Sequence, residues 1–286
     1  MRAYAYLTKS TLAWRGAGQI ARNTKRLFVG PWIGEFGFEV MNLGVVRRLK
    51  QYFEEVIVCS RPGSRALYDG VADEFIAHDI DCIGACVGLS TISRPVSQQE
   101  IERWLPSPHE ATMQKLIDYG NHWPGVYQRL GKRVKDWDGI VVVHARHREH
   151  APERNWSRER WNMLARLLLR SGAVKRLVAI GTEESAWSVE GAIDARRLDL
   201  REQMSILASA RLAIGPSSGP MHLAQHCGCP VMVWCGGPER FVIADRYRWW
   251  WNPLGTPAYP HVEEGWWPSV EQAYHWTIEA LEKEAG

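Results

Sequence analysis

Short runs of Val, Ile, Leu and Ala alternate with helix-period segments in two successive series along this 286-residue chain, and no other feature constrains its fold as tightly. In the first series Leu27-Phe-Val-Gly-Pro-Trp-Ile33 is an apolar run closed by Gly34, and residues 40–53 carry helix-spaced Val40, Leu43, Val46 and Leu49. Glu55-Val-Ile-Val-Cys-Ser60 reads as a second strand and Phe75-Ile-Ala-His78 as the end of a third, with Pro62-Gly63 marking the loop between them. The second series predicts strand 140–144, helix 157–169, strand 176–180 ending at Gly181, helix 201–210, strand 212–214, helix 220–227 and strand 231–235 before Gly236-Gly237. Strands that alternate with helices form parallel sheets covered on both faces. The expectation is therefore an α/β protein with two similar parallel sheets facing each other across a cleft.

Between residues 93 and 138 the pattern loosens, with Pro95, Pro106, Pro108 and Pro124 interrupting short helical stretches, and the domain boundary is expected there. This gives domains over 1–130 and 138–268, followed by a C-terminal helix within 269–286 that starts at Ser269 and has apolar positions at Val270, Ala273, Trp276, Ile278 and Leu281. A 45% hydrophobic share suffices for two cores. No run reaches the ~20 apolar residues of a membrane span, and Lys9, Arg15, Arg22, Lys25 and Arg26 break up any signal-peptide apolar stretch near the start. Six cysteines without a disulfide framework fit a reducing compartment. These features imply a cytoplasmic location, and the net charge of +3 permits anionic substrates or peripheral contact at the inner face of the membrane. Fifteen tryptophans are many for this length, and Trp249, Trp250, Trp251, Trp266, Trp267 and Trp276 concentrate late. Core packing is the expected fate of most, with stacking on sugars or bases, or a lipid interface, as alternatives.

The stretch from Arg211 to Ala224 joins an apolar strand to a helix through Gly215-Pro-Ser-Ser-Gly-Pro220. Amides in a helix's first turn lack intrahelical partners and the dipole is positive there, so a nucleotide diphosphate can dock on such a turn. Gly219 allows close approach of the backbone, Pro220 suits the first turn, and Ser217 and Ser218 can cap the helix.

Residues 215–236, Gly-Pro-Ser-Ser-Gly-Pro-Met-His-Leu-Ala-Gln-His-Cys-Gly-Cys-Pro-Val-Met-Val-Trp-Cys-Gly, resemble the nucleotide-sugar segment of the heptosyltransferase-like (family 9-like) glycosyltransferases. That family's pattern is Asp-Ser/Thr-Gly-x-x-His-Leu-Ala, then Gly-x-Pro and a strand ending in Gly, and the spacing matches without a gap. Ile33-Gly34-Glu35 is similar to the family's Gly-Asp turn before the first helix, residues 71–79 to its third-strand region, and Arg154-Asn-Trp-Ser-Arg-Glu-Arg-Trp161 to its Lys-x-Trp-Pro-x-x-x-Trp/Phe helix start. The resemblance implies a GT-B fold of two Rossmann-like domains, an N-terminal acceptor domain and a C-terminal nucleotide-sugar domain. It also implies inverting, metal-independent transfer of a sugar from a nucleotide-diphosphate donor to a glycan or glycolipid hydroxyl, without a cofactor. Position by position, Ser217, Ser218, Gly219, Met221 and His222 would surround the donor diphosphate. The chain departs from the pattern at Ser217, where the family has Asp, and so lacks a carboxylate expected near the donor sugar.

Inverting transfer needs a base for the acceptor hydroxyl. Glu35, at the end of the first strand and aligned with the family's Asp, is the candidate, with Glu39 four residues on as its rival. The departing diphosphate gains negative charge, which preorganised guanidinium groups stabilise, and the basic loop from His144 to Arg154 offers Arg146 and Arg154 for that role. Glu183, after the strand ending at Gly181, is a candidate for the nucleoside. His144, His147 and His150 lack the further ligands of a familiar metal site, so no metal is expected. Asp79-x-Asp81 and Asp136-x-Asp138 match a cheap pattern of metal-dependent transferases outside the required strand context. No Walker lysine, Gly-x-Gly-x-x-Gly or Gly-x-Ser-x-Gly appears, which argues against NTPases, dehydrogenases and serine hydrolases. Two other readings stay open: a nucleic-acid acceptor bearing modified bases, prompted by the arginine-rich loop, and a catalytically silent binding module, prompted by Ser217.

Overall fold

The computed structural model describes residues 5–6, 25–80, 99, 103–104, 111–113 and 125–285. Pro95, Pro106, Pro108 and Pro124, the basic residues Lys9, Arg15 and Arg22, and Asp81 lie outside these. Contacts divide the chain into two compact units, 1–127 and 128–286.

In the first unit β1 (Ala5–Tyr6), β2 (Arg26–Val29), β3 (Glu55–Ser60), β4 (Glu74–Ala77) and β5 (Ala111–Met113) form a sheet of order β1-β5-β2-β3-β4. Every pairing is parallel, with Phe28 opposite Ile57 and Val58 opposite Phe75. Leu27, Phe28, Val56 and Ile57 are completely buried, as continuous apolar strands of a covered sheet must be. The connecting helix α1 (Phe36–Lys50) buries Phe38, Val40, Leu43, Val46 and Leu49, and Arg47, Arg48 and Lys50 in its last turn suit the negative end of its dipole. The predicted strand and helix are both present but shifted: β2 ends at Val29, and the helix begins at Phe36 instead of residue 40. Gly30 explains the early end, because its φ of +121° leaves the β region and a Cβ there would lie 2.2 Å from the Cys59 carbonyl oxygen.

The second unit contains β6 (Val141–Val143), α2 (Arg158–Arg170), β7 (Leu177–Ala179), β8 (Ala192–Asp194), α3 (Leu200–Ser209), β9 (Leu212–Pro216), α4 (Gly219–His226) and β10 (Val231–Cys235). They are followed by α5 (Arg240–Asp245), a π-helical turn over Arg246–Trp250, β11 (Ala258–Val262) and α6 (Val270–Lys283). The sheet order is β11-β10-β9-β6-β7-β8, parallel throughout. The chain therefore starts at the centre, builds outward through β7 and β8, and crosses back to place β9 on the other side of β6. That is the doubly-wound Rossmann order.

Local signals define the helix starts. Ser157 accepts the Arg160 amide at the head of α2, and Asp199 with Glu202 and Ser269 with Gln272 form capping boxes on α3 and α6. β8 and β11 escape periodicity for physical reasons: β8 is three residues long with Ile193 exposed at the sheet edge, and β11 carries Pro260 and is half-buried along its whole length. The core holds Trp156, Trp161 and Trp234, with ring centroids 4.9 to 5.5 Å apart. Of the late tryptophans, Trp266 is buried, whereas Trp249, Trp250 and Trp267 are exposed. No helix among the described residues is long and apolar enough to cross a membrane.

Candidate functional site

In open parallel sheets ligands bind beyond the carboxyl ends of the strands, at the point where strand order reverses. In the second unit that point lies between β6 and β9, and their ends deliver His144 on one side and Ser217-Ser218 on the other. Gly215 lets the two ends approach, since a Cβ there would meet the His144 carbonyl oxygen at 3.1 Å and the Met221 sulfur at 3.4 Å. Ser218 is the N-cap of α4, yet its hydroxyl makes no capping bond. Instead Ser218 Oγ lies 3.0 Å from His144 Nδ1, a hydrogen bond across the reversal point.

The amides of this turn are largely committed. Pro220 has no N–H, the Met221 and His222 amides donate to the Ser218 carbonyl at 3.1 and 3.3 Å, and the Ser217 amide donates to the Trp234 carbonyl at 3.0 Å. The Ser218 amide donates to the Tyr247 hydroxyl at 3.1 Å. Within the first turn of α4 this leaves the Gly219 N–H as the amide not engaged by the helix. Met221 turns inward and is completely buried.

His222 is also buried, its ring stacked on Tyr247 at 4.2 Å and met by the edge of Trp251 at 5.0 Å. Its Nδ1 is buried without a hydrogen-bond partner. Burial first, then His226 and Arg246, pushes the His222 pKa down to about 3. Burial, reinforced by Arg146 and Arg148, does the same to His144, also to about 3. Both imidazoles are thus neutral at physiological pH.

The loop after β6 separates the two arginines singled out in the sequence. Arg146 is buried, and its guanidinium donates to the His150 carbonyl at 2.5 Å, to the Ala151 carbonyl at 2.9 Å and to Asn155 Oδ1. Asn155 in turn exchanges hydrogen bonds with the backbone of Arg148. Arg146 therefore ties the loop together. Arg154 is partly exposed, its guanidinium lies 4.5 Å over the Trp266 ring, and its Nε, buried without a hydrogen bond, is ion-paired with Glu153 at 3.8 Å. Its charge also acts on Tyr247 and Cys235, beside the α4 turn and the end of β10. Glu183 stands on the loop after β7, ion-paired with Arg197 at 2.9 Å. Among the described residues no group of three His, Cys, Asp or Glu side chains is placed to hold a metal ion.

In the first unit the strand order reverses between β2 and β5, and the turn leaving β2 runs Gly30-Pro-Trp-Ile-Gly-Glu35. Glu35 is the half-buried N-cap of α1 and makes no side-chain capping bond. Glu39 is completely buried and accepts hydrogen bonds from the hydroxyls of Ser60, Ser64 (2.7 Å) and Tyr68 (3.1 Å). Desolvation raises its pKa against the opposing pull of Arg61 and the three hydroxyls.

Sequence reading missed two members of the α4 site. His144 was weighed only as a metal ligand, although its place at a strand end was a usable signal. Tyr247 is buried beneath a turn thirty residues earlier in the chain, and no local pattern announces it.

No protein-family model and no curated protein sequence matches the chain. Its fold is that of several solved glycosyltransferases. ADP-heptose LPS heptosyltransferase II of E. coli aligns over 92% of this chain and 100% of its own, with a TM-score of 0.61 at 13% identity. A family 9 glycosyl transferase from Veillonella parvula aligns over 91% and 97%, with a TM-score of 0.59 at 13% identity. An E. coli heptosyltransferase solved with ADP aligns over 89% and 99%, with a TM-score of 0.56 at 12% identity. The α/β expectation of two Rossmann-like units is borne out.

Proposed function

We propose that this protein is a glycosyltransferase that moves a sugar from a nucleotide-diphosphate donor to a hydroxyl of a cell-envelope glycan or related acceptor, with inversion and without a metal. The observation that carries the reading is the β6/β9 reversal point, where Ser218, the Gly219 amide and the α4 dipole meet, with the charge of Arg154 acting close by. The second unit is assigned the donor. Ser218 Oγ and the Gly219 N–H donate to diphosphate oxygens, Arg154 offsets the negative charge, and Glu183 takes the ribose, exchanging its partner Arg197 for hydroxyls. In the transfer step the acceptor oxygen attacks the anomeric carbon, Glu35 accepts its proton, and the bond to the diphosphate breaks with its electron pair leaving on the diphosphate. Glu39 is assigned a supporting role, because its carboxylate is shut away under three hydroxyls.

Calorimetric titration with ADP, UDP and GDP in EDTA tests the donor reading: one of them binds, and failure of all three would remove it. With the donor found, Glu35→Gln lowers turnover by about 10²- to 10⁴-fold, the usual worth of a general base. Undiminished turnover would exclude Glu35 as that base.

A further inference from the structure

We propose that Tyr247 is a positioning residue of the donor site, holding the Ser217-Ser218 turn from beneath so that the Ser218 hydroxyl, fixed from the other side by His144, donates to the diphosphate. The inference rests on the donor-binding reading above and adds to it a side chain that neither the motif nor the resemblance assigns.

Tyr247 is completely buried in the π-helical turn. Its hydroxyl accepts the Ser218 amide at 3.1 Å and has two acceptors for its own proton, Ser217 Oγ and the Ser218 carbonyl, each at 3.3 Å. One phenol thus engages three atoms of two consecutive residues. The ring is fixed as well, by its stack on His222 and by the Gln225 side-chain amide, which donates to the Tyr247 carbonyl at 2.9 Å. Ser217 is one of the groups held, its Oγ accepting from the phenol. The brace comes from a different element.

The turn needs such a brace because it has few amides left to offer. With Pro220 lacking an N–H and the amides of Ser217, Ser218, Met221 and His222 committed, a ligand is left with the Gly219 N–H and the Ser218 hydroxyl. A serine hydroxyl rotates freely unless something accepts or donates at its oxygen. His144 Nδ1 does so at 3.0 Å, and the neutral imidazole can present Nδ1–H to Ser218 Oγ, leaving the hydroxyl proton for the ligand. Burial raises the Tyr247 pKa, so the phenol stays protonated and uncharged beside an anion. Preorganised donors of this kind cost no reorganisation when charge develops on the leaving group.

A double-mutant cycle with ADP, read by calorimetry, tests the proposal. Ser218→Ala removes no capping bond but does remove the bond to His144, so its thermal midpoint without ligand falls by a few degrees while the protein stays folded, and it binds ADP about tenfold more weakly, the factor for one lost hydrogen bond of ~1.4 kcal/mol. Tyr247→Phe keeps the stack on His222 and loses a similar factor. The double mutant binds about as weakly as either single mutant, because the phenol acts through the serine. Losses that multiply to about a hundredfold, or a Tyr247→Phe protein that binds ADP like the wild type, would overturn the inference. If Tyr247→Phe does not fold, Gln225→Met, which removes the amide that holds the Tyr247 carbonyl, takes its place in the cycle, and wild-type affinity in that variant overturns the inference. A wild-type protein that binds no nucleoside diphosphate removes the donor reading and this inference together, whereas binding by the wild type with no effect of these substitutions removes only the inference.

Discussion

Arg146 and Arg154, eight residues apart on one loop, are separable by replacing each with methionine. Arg154→Met keeps an unbranched chain against Trp266 and removes the charge that lies 4.5 Å over that ring. A hydrogen bond from a charged donor to a phosphate oxygen contributes about 1.5–3 kcal/mol. At 1.4 kcal/mol per decade, the dissociation constant of whichever nucleoside diphosphate binds should rise by about 10- to 150-fold. The lost cation–π contact at this partly exposed site costs roughly 0.5–1 kcal/mol, so the thermal midpoint falls by only a few degrees. Arg146→Met has the opposite profile. It strips hydrogen bonds from the His150 and Ala151 carbonyls and from Asn155 in a buried setting. Leaving buried acceptors unsatisfied costs about 1–3 kcal/mol each, and with partial relaxation the total is on the order of 3 kcal/mol. For a protein of this size that lowers the midpoint by about 6–12 °C. Scanning calorimetry without ligand and isothermal titration at 25 °C separate the two effects. An affinity for that nucleotide unchanged by Arg154→Met, or a midpoint within two degrees of wild type for Arg146→Met, would refute the division of roles.

Further outcomes follow from the buried groups. His144 and His222, each at about 3 when folded, stay neutral in the native state while the unfolded chain protonates them near 6.5. Their contribution to stability is therefore complete above pH 6.5 and is lost as pH falls from there toward 3, by up to about 2.7 kcal/mol per pH unit for the pair. Urea midpoints measured between pH 7 and 5 should show that acid loss, reduced in His222→Phe. Glu39 works in the other direction: its folded pKa is raised by burial, so its ionisation opposes folding as pH rises past 4.5. Glu39→Gln should flatten the rise of stability toward acid pH that Glu39 contributes, seen as a smaller proton uptake on folding. Trp161→Ala removes one of three mutually packed rings, Trp156, Trp161 and Trp234, at a cost of about 3–5 kcal/mol. Trp249→Ala, at a side chain 68% exposed, should change stability by less than about 0.5 kcal/mol in the same denaturation assay.

The parts of the fold legible in the sequence were those whose burial imposes a period. Val231–Cys235 matches its prediction residue for residue, because a strand covered on both faces admits only an unbroken apolar run. α2 and α6 were legible from their Ser caps and apolar stripes. β8 and β11 were not, because edge strands bury one side at most and tolerate Asp194 and Pro260. The site divides along the same line. The place of Ser217, Ser218 and Gly219 between a strand and a helix was legible because strand, turn and helix are contiguous in the chain. The different placement of Arg146 was not legible, since an arginine that binds phosphate and one that ties carbonyls together are the same residue on the same loop until the loop's path is known.

Tyr247 shows why a turn can look like a phosphate cradle in sequence and differ from one in its donors. The pattern Ser-Gly-Pro-x-His fixes where α4 begins, and from that alone a row of first-turn amides would be expected to face the ligand. Pro220 removes one, and the tight first turn, in which Met221 shares the Ser218 carbonyl with the ordinary helical bond of His222, withdraws another. The phenol then takes the Ser218 amide. A site with so few amides must rely on side chains, and side chains must be held to be useful. That is why a neutral imidazole holds the Ser218 hydroxyl while a buried phenol holds the backbone of the same residue from below. The dipole of α4 persists whichever amides are engaged, so the turn keeps its attraction for an anion while the geometry of contact passes to groups that only the folded chain brings together.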